Sequence, residues 1–247
     1  MSEQLEGINS VLEALRGGRK IEKIYLDETR KDQRIKSIIT LAARNKVAIQ
    51  TISRKRLQAL SHTGMSQGVI AVAADYRYYE VEAILENAFA EGKKPFLIML
   101  DGIEDPQNLG SIIRTAECAG VDGIILPRHG SAPITPAVVR ASAGAVEYMK
   151  IARVTNLANT IDILKKAGMW VVGTAPDARF LYHEADIPTP VVLVIGGEDR
   201  GIRRLVREKC DMVLRIPLYG RISSLNASVA CALVAYEVVR QGGNGRS

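Results

Sequence analysis

The chain has 247 residues, of which 24% are charged and 47% apolar, a balance typical of a soluble globular protein. No apolar run approaches the roughly 18 residues that suggest a membrane-spanning helix, and the N-terminal stretch has early acids, unlike a signal peptide. We therefore expect one or two domains, no membrane association and a cytoplasmic location.

The net charge of +6 is concentrated in the first third of the chain. Residues 1–77 contain 14 Lys and Arg against 8 Asp and Glu, whereas the remaining residues contain 19 of each. This basic third is either an ordinary solvated surface or an electrostatic surface for a polyanion such as RNA, and charge alone does not decide between them.

The cysteines and histidines are few and widely spaced. Cys118, Cys210 and Cys231 form no C-x-x-C pair, and the three histidines are isolated. We therefore predict no metal site, and we expect Cys118 and Cys231 to be buried free thiols in apolar helices.

The first part of the chain predicts a small α/β unit over residues 1–75. The N-terminal stretch has an amphipathic helix pattern, and residues 7–18 are predicted as a helix that stops at Gly17–Gly18. The next elements are predicted as a strand at 21–26, a helix at 34–44, a strand at 47–52, a short helix after the capping Ser53, and a strand at 68–74. Residues 76–94, polar and then helical, are the predicted linker.

Residues 95–247 again alternate strands and helices. Strands are predicted at 96–100, 123–126, 169–174, 191–195 and 212–216, with helices near 110–119, 136–141, 157–166, 203–209 and 224–240. Continuous apolar strands such as 191–195 indicate burial on both faces, which favours a parallel sheet covered by helices. The glycine-rich tail 242–247 is predicted to be disordered.

Three stretches lie where strands lead into helices, the place where α/β sheets form ligand crevices. In the first, Asn108 suits a turn or cap, and Arg114 is predicted near a helix N-terminus, where an idle cation is unfavourable and an anionic partner is expected. In the second, Gly196 and Gly197 precede Glu198, which fits either close approach of a ligand or a tight turn. It matches neither a dinucleotide fingerprint nor a Walker loop.

The third stretch runs from Ile216 into a cluster of serines and asparagines that opens a helix. Ser224 and Asn226 are ordinary capping residue types, but so many polar and small residues in a row exceed what capping requires. A helix N-terminus also offers free N–H groups to a ligand.

Together the three stretches resemble the signature motifs of the SpoU-type (SPOUT superfamily) RNA ribose 2′-O-methyltransferases. The motifs are N-x-G-x-x-x-R from Asn108, G-G-E-x-x-G from Gly196, and I-P followed by S-L-N-x-S from Ser224. Residues 1–75 resemble the ribosomal-protein-like substrate-binding extension of members that modify ribosomal RNA. The resemblance implies an α/β catalytic domain with a parallel sheet and a trefoil knot, acting as a homodimer.

The implied reaction transfers a methyl group from S-adenosylmethionine to a ribose 2′-hydroxyl of RNA, most like the members that methylate a guanosine of large-subunit ribosomal RNA. The resemblance assigns the cofactor to Gly196, Gly197, Ile216 and Leu225. It assigns catalysis and substrate holding to Asn108, Arg114, Glu198, Ser224 and Asn226, without a metal. Because a guanidinium keeps its proton, we expect Arg114 to bind a phosphate and to stabilise developing oxyanion charge.

Two departures from the family pattern do not touch the implied reactive groups. Asp199 and Arg200 bring more charge than expected, and Ala227 stands where a β-branched residue is frequent.

Other interpretations stay open at this point. The same chemistry on transfer RNA is the nearest alternative, and a non-catalytic RNA-binding ribosome-assembly protein is another, although it should have lost residues such as Arg114, Glu198 or Asn226. A nicotinamide-dependent oxidoreductase is disfavoured because the dinucleotide fingerprint is missing. If residues 1–75 capture RNA, their deletion should weaken RNA binding more than cofactor binding.

Overall fold

A computed structural model describes residues 2–90, 92 and 94–242, which divide into two compact units. The first unit joins the chain up to Arg77 with the segment Pro133–Tyr148, and the second unit contains Tyr78–Ala132 and the chain from Met149 onward. The disorder predicted for the tail falls on residues that, apart from Gly242, lie outside the described ones.

The first unit is built on a four-stranded sheet in the order β1-β4-β2-β3. Strand β4 is antiparallel to β1 and β2, and β2 is parallel to β3. As predicted, the Ser53 side chain caps α3, accepting a hydrogen bond from the Arg56 N–H (3.4 Å). The elements are β1 Ser2–Glu6, α1 Ile8–Arg16, β2 Ile21–Asp27, α2 Gln33–Arg44, β3 Ala48–Ile52, α3 Arg54–Leu60 and β4 Val69–Ala74.

The helix predicted over residues 7–18 is confirmed as α1, but the residues before it, which the amphipathic pattern also included, form strand β1. Residues Ser2–Glu6 pair along β4, and the helix begins only at Ile8. Gly7 separates the two elements with a φ of 96°, a conformation that side chains with a Cβ rarely adopt. The pairing buries Leu5 completely.

The second unit contains a seven-stranded sheet in the order β7-β6-β5-β10-β8-β11-β9, and every strand pair is parallel. This confirms the predicted parallel α/β architecture; the implied trefoil knot stays a prediction. The remaining elements in chain order, of which only α6 belongs to the first unit, are α4 Val81–Ala90, β5 Phe96–Asp101, α5 Pro106–Cys118, β6 Gly123–Pro127, α6 Pro136–Ala141, β7 Ile151–Val154, α7 Leu157–Lys166, β8 Trp170–Thr174, β9 Phe180–Leu181, β10 Val191–Gly196, α8 Arg204–Glu208, β11 Met212–Arg215 and α9 Ala227–Gln241.

The sheet of the second unit is buried on both faces because its central strands are apolar throughout. Every residue of β5 is buried, and so is β10 up to Ile195. The predicted linker contains α4, whose Val81, Ile84 and Leu85 belong to the same core. Across the described ranges, no helix combines the length and the apolar character that crossing a bilayer requires.

The segment Pro133–Tyr148 carries α6 into the first unit. Its buried Val138 and Val139 lie on a helix that packs on α1 and β1. The buried guanidinium of Arg19 binds Glu147 (2.9 Å) and also Glu3. Gly144, with a φ of 89°, lies so close to α1 that an added Cβ would be 2.5 Å from the Cβ of Glu13, so only glycine fits there.

Candidate active site

Three of the predicted site residues meet at the carboxyl end of the parallel sheet. The Glu198 Oε1 oxygen accepts hydrogen bonds from Asn226 Nδ2 (2.5 Å), Asn108 Nδ2 (3.2 Å) and the Ala227 N–H (3.1 Å). Asn226 Nδ2 also donates to Asn108 Oδ1 (2.7 Å). We call Asn108, Glu198 and Asn226 the amide–carboxylate cluster; it joins the three motifs in space, as the sequence predicted.

Helix caps position the two asparagines. The Asp105 carboxylate caps α5 by accepting from the N–H groups of Gln107 (3.2 Å) and Asn108 (3.0 Å), and Pro106 fits the first helical position. Asn226 caps α9 through its own Oδ1, which accepts from the Ser228 N–H (3.0 Å). Its amide nitrogen thereby remains directed at the cluster.

A buried aspartate holds the loop that carries Glu198. The Asp101 backbone oxygen accepts from the Gly197 N–H (2.8 Å), and its carboxylate accepts from Arg203 N (2.8 Å) and Arg203 Nε (2.6 Å). Asp101 is only 1% exposed. Both ends of the 197–203 loop are therefore tied to the end of β5.

The two glycines before Glu198 serve the protein's own packing. A Cβ at Gly196 would lie 2.2 Å from the carbonyl carbon of Gly201, and one at Gly197 would lie 2.3 Å from the Gly102 carbonyl oxygen. Of the two alternatives that the sequence left open, tight packing accounts for these glycines, because backbone of the same chain occupies the space that a side chain would need. The approach of a ligand to their backbone stays a prediction.

A cleft of about 490 Å³ lies beside the cluster. All four predicted cofactor residues, Gly196, Gly197, Ile216 and Leu225, line it, as do Glu198 and Ser224. The sequence interpretation missed further lining residues: Thr174 at the end of β8, Ala175, Pro176 and Asp177 directly after it, and Arg207 on α8. The available signal was their position directly after an apolar strand, where a parallel sheet exposes its ligand crevice.

Arg114 does not join the cluster within this chain. It is the ninth residue of α5, six residues after Asn108, which corresponds to about 9 Å along the axis and about 240° around the helix. Its side chain is exposed and has no hydrogen bond or ion pair with any other described residue. Because α5 begins at Pro106, Arg114 lies more than two turns from the N-terminus, so the helix-dipole argument made from the sequence is wrong.

The cysteines include one further correction. Cys118 ends α5 and is exposed, contrary to the expected burial, whereas Cys231 is fully buried in α9 as expected. Burial raises the pKa of the Cys231 thiol to about 12. In the part of the chain that the structure describes, no three His, Cys, Asp or Glu side chains are grouped to hold a metal ion.

Family models match both units of the chain. Residues 95–236 match the model of the SpoU rRNA Methylase family, and residues 4–79 match a model described as RNA 2′-O ribose methyltransferase substrate binding. By class the protein is therefore an RNA methyltransferase. The chain belongs to the SpoU rRNA methylase family, which confirms the resemblance seen in its motifs.

Relatives and solved structures agree with this membership. A Bacillus subtilis (strain 168) protein assigned to the TrmH family of tRNA/rRNA methyltransferases is 43% identical over 235 residues, covering 95% of this chain and 94% of its own. The AdoMet-bound rRNA methyltransferase from Sinorhizobium meliloti has a TM-score of 0.80 at 28% identity, over 97% of this chain and 87% of that one. A further RNA 2′-O ribose methyltransferase has a TM-score of 0.79 at 26% identity, over 97% and 88%.

Proposed function

We propose that this chain methylates the ribose 2′-hydroxyl of an RNA nucleotide, using S-adenosylmethionine as the methyl donor. The observation that carries the proposal is the amide–carboxylate cluster, in which side chains from three separate motifs converge beside a cleft. The Sinorhizobium meliloti relative, named as an AdoMet-bound rRNA methyltransferase, supports the choice of cofactor.

The cleft fits a ligand of this kind. Its volume of about 490 Å³ lies in the range of small-molecule sites, and buried apolar residues line it, including Ile195, Ile202 and Leu214. Gly196, Gly197, Ile216 and Leu225 would hold the cofactor, largely through backbone groups. When bound, the cofactor supplies a methyl group on a sulfonium, which is reactive enough to need no metal.

The chain's own residues would position the ribose and its neighbouring phosphate. Glu198, Ser224 and Asn226 would orient the ribose, with Asn108 fixing the amide of Asn226. Arg114, which lies apart from the cluster within one chain, would act from the second copy of the homodimer proposed below: it would bind the adjacent phosphate and stabilise charge as the hydroxyl loses its proton, because a guanidinium cannot itself act as the base. Much of the acceleration would come from this positioning.

Arg114 provides a direct test of this role. Replacing it with Ala should abolish most single-turnover methylation, and replacing it with Lys should restore little, because Lys lacks the planar fork that binds phosphate oxygens in pairs. Near wild-type rates in both Arg114→Ala and Arg114→Lys would contradict the role. Binding of S-adenosylhomocysteine, measured by titration calorimetry, should stay unchanged in both variants.

We further propose that the enzyme works as a homodimer. Helix α9 presents Val229, Leu233 and Tyr236 to solvent at the spacing of one helical face, and each is at least 37% exposed. An apolar stripe of this kind on a surface helix supports an interface with a second copy. Analytical ultracentrifugation should find a dimer in the wild type and a monomer in a Leu233→Glu variant.

Large-subunit ribosomal RNA, methylated at a guanosine, is the proposed substrate, and the cytoplasm is the proposed compartment. The first unit is basic and matches a substrate-binding family model, and both observations support a large RNA as the substrate. Transfer RNA stays the alternative, because the curated relatives are assigned to tRNA and rRNA methylation together.

Mapping ribose 2′-O-methylation in cells with and without the protein decides between these substrates. We expect the loss of one methylated guanosine from large-subunit RNA. Loss confined to a transfer RNA would establish the alternative, and an unchanged map in both RNAs would contradict the proposed function.

A further inference from the structure

Besides its apolar residues, the cleft is lined by one ion pair. Asp177, in the loop after β8, and Arg207, on α8, are 3.0 Å apart between a carboxylate oxygen and a guanidinium nitrogen. Their side chains are 65% and 40% exposed, so the pair should contribute little to folding stability. Its position in the cleft therefore suggests a role in binding.

The other charged residues that line the cleft differ from this pair. The Glu198 Oε1 oxygen is already engaged by three donors of the protein. Asp199 and Arg200 are exposed neighbours on one loop, and neither has a hydrogen bond or ion pair with another described residue. Asp177 and Arg207 come from two separate elements and hold each other in place, so their opposite charges are pre-organised.

The chemistry of the cleft matches a ligand with an apolar end and a zwitterionic end. Ile216, Leu218 and Leu225 line the cleft and keep part of their apolar surface accessible, which suits contact with a flat base. S-Adenosylmethionine, the methyl donor proposed above, carries an adenine at one end and an amino acid, with one ammonium and one carboxylate, at the other.

We propose that Asp177 and Arg207 bind the amino-acid end of S-adenosylmethionine; this inference rests on the proposed function. Asp177 accepts hydrogen bonds from the ammonium, and Arg207 donates its planar fork to the carboxylate. The hydrogen bond from Arg207 lowers the pKa of Asp177, which keeps the acceptor charged. The ribose hydroxyls of the cofactor are a poorer match for this pair. They would need only the acceptor that Asp177 provides, whereas the guanidinium of Arg207 also calls for an anion.

Titration calorimetry with three ligands tests this assignment. S-Adenosylmethionine and S-adenosylhomocysteine contain the amino acid, and 5′-methylthioadenosine keeps the nucleoside and sulfur without it. In Asp177→Asn and Arg207→Gln, we expect about tenfold or greater loss of affinity for the first two and less than about twofold for the third. Arg207→Lys should recover part of the loss, since it restores the charge without the fork.

A matched control lies on the same helix. Arg204 and Glu208 form an exposed ion pair at 2.6 Å outside the cleft lining, so Arg204→Gln removes a comparable pair and should leave all three affinities unchanged. Thermal unfolding of each variant should stay close to that of the wild type.

The outcomes separate this inference from the proposed function. A wild-type protein that binds none of the three ligands would overturn the cofactor and the inference together. Wild-type binding with unchanged affinities in the Asp177 and Arg207 variants would overturn the inference alone. So would an equal loss for 5′-methylthioadenosine, which indicates nucleoside recognition, or a loss seen only in Asp199→Asn and Arg200→Gln.

Discussion

Glu198 is the residue on which the cluster depends, because one of its oxygens accepts three hydrogen bonds. Glu198→Gln keeps the shape and an acceptor oxygen but removes the charge that strengthens these hydrogen bonds, and because the residue is exposed the effect on stability should be small. If the cluster orients the ribose, kcat should fall about tenfold to a hundredfold with little change in the thermal midpoint. Single-turnover methylation and calorimetric unfolding measure the two effects.

The neighbouring carboxylate provides the control for that substitution. Asp199→Asn removes the same charge from the same loop, at an exposed residue without a hydrogen bond among the described residues, and should leave kcat nearly unchanged. Equal losses in the two variants would indicate that the loop needs negative charge in general rather than the bonds of Glu198.

Single residues also show how far the candidate site could be predicted. Asn108, Glu198 and Asn226 follow strand ends, and parallel strands gather such residues at one edge, so their meeting was predictable. The position of Arg114 was not predictable, because it depends on where α5 begins. The helix begins four residues earlier than predicted, which places Arg114 one full turn farther from the helix start and rotates its side chain by about 40° relative to that start.

At the scale of elements, Glu6 fastens the end of β1 to the loop after α3. Its buried carboxylate accepts from Ser61 Oγ (2.6 Å), Thr63 Oγ1 (2.6 Å) and the His62 N–H (2.7 Å). Burial raises the pKa of Glu6, but the hydrogen bonds, including one from Gln4, outweigh burial and lower it to about 2. The charged form is therefore the stabilising one.

Glu6→Gln should lower the free energy of unfolding by roughly 1–3 kcal/mol at neutral pH. Because the pKa in the folded protein lies below the ordinary value of 4.5, the stabilisation is complete above pH 4.5 and is lost as the pH falls towards about 2. Urea unfolding at pH 7 and pH 3 should show the difference between wild type and variant shrinking at the lower pH. The exposed Glu22→Gln on β2 is the control, and a pH-independent difference would contradict the assignment.

A strand buried on both faces was predictable from its own sequence, whereas three short strands at sheet edges, β1, β7 and β9, were missed. Strand β10 is apolar throughout because both faces are covered, so its sequence identifies it. Strand β1 has mostly polar residues at one edge of a sheet, and β9 has only two residues; neither carries a periodic pattern long enough to detect. Their pairing is decided by the neighbouring strand rather than by their own composition.

At the scale of the molecule, the chain's excess positive charge belongs to its first unit. The exposed residues Arg54, Lys55 and Arg56 of α3 are a compact part of it. Replacing all three with Gln should weaken RNA binding and reduce the slope of log K against log salt by about 2, if each contacts one phosphate of a single strand. Affinity for S-adenosylhomocysteine should not change.

Three exposed cations of the second unit, Lys166, Arg179 and Arg204, offer the matched control, since their replacement removes the same charge. Filter binding at several salt concentrations measures both slopes. An equal reduction by both triple variants would indicate a nonspecific effect of net charge, against a separate RNA-binding role for the first unit.

Charge substitution is a sounder test than the deletion of residues 1–75 that the sequence suggested. The deletion would strip α6 of β1 and α1, exposing Val138 and Val139, which are fully buried. The pattern of residues 136–141 indicated a buried helical face but not which partner covers it, because that partner lies more than a hundred residues earlier in the chain.

The route of the chain through α6 also limits how this protein can be recombined with its relatives. The backbone passes from one unit to the other three times, near residues 77, 132 and 148. A hybrid that takes the N-terminal portion of another family member must therefore import that donor's counterpart of Pro133–Tyr148 as well. Otherwise the ion pair between Arg19 and Glu147 and the close packing at Gly144 would be lost. The hybrid would then be destabilised far along the sequence from the point where the two chains are joined.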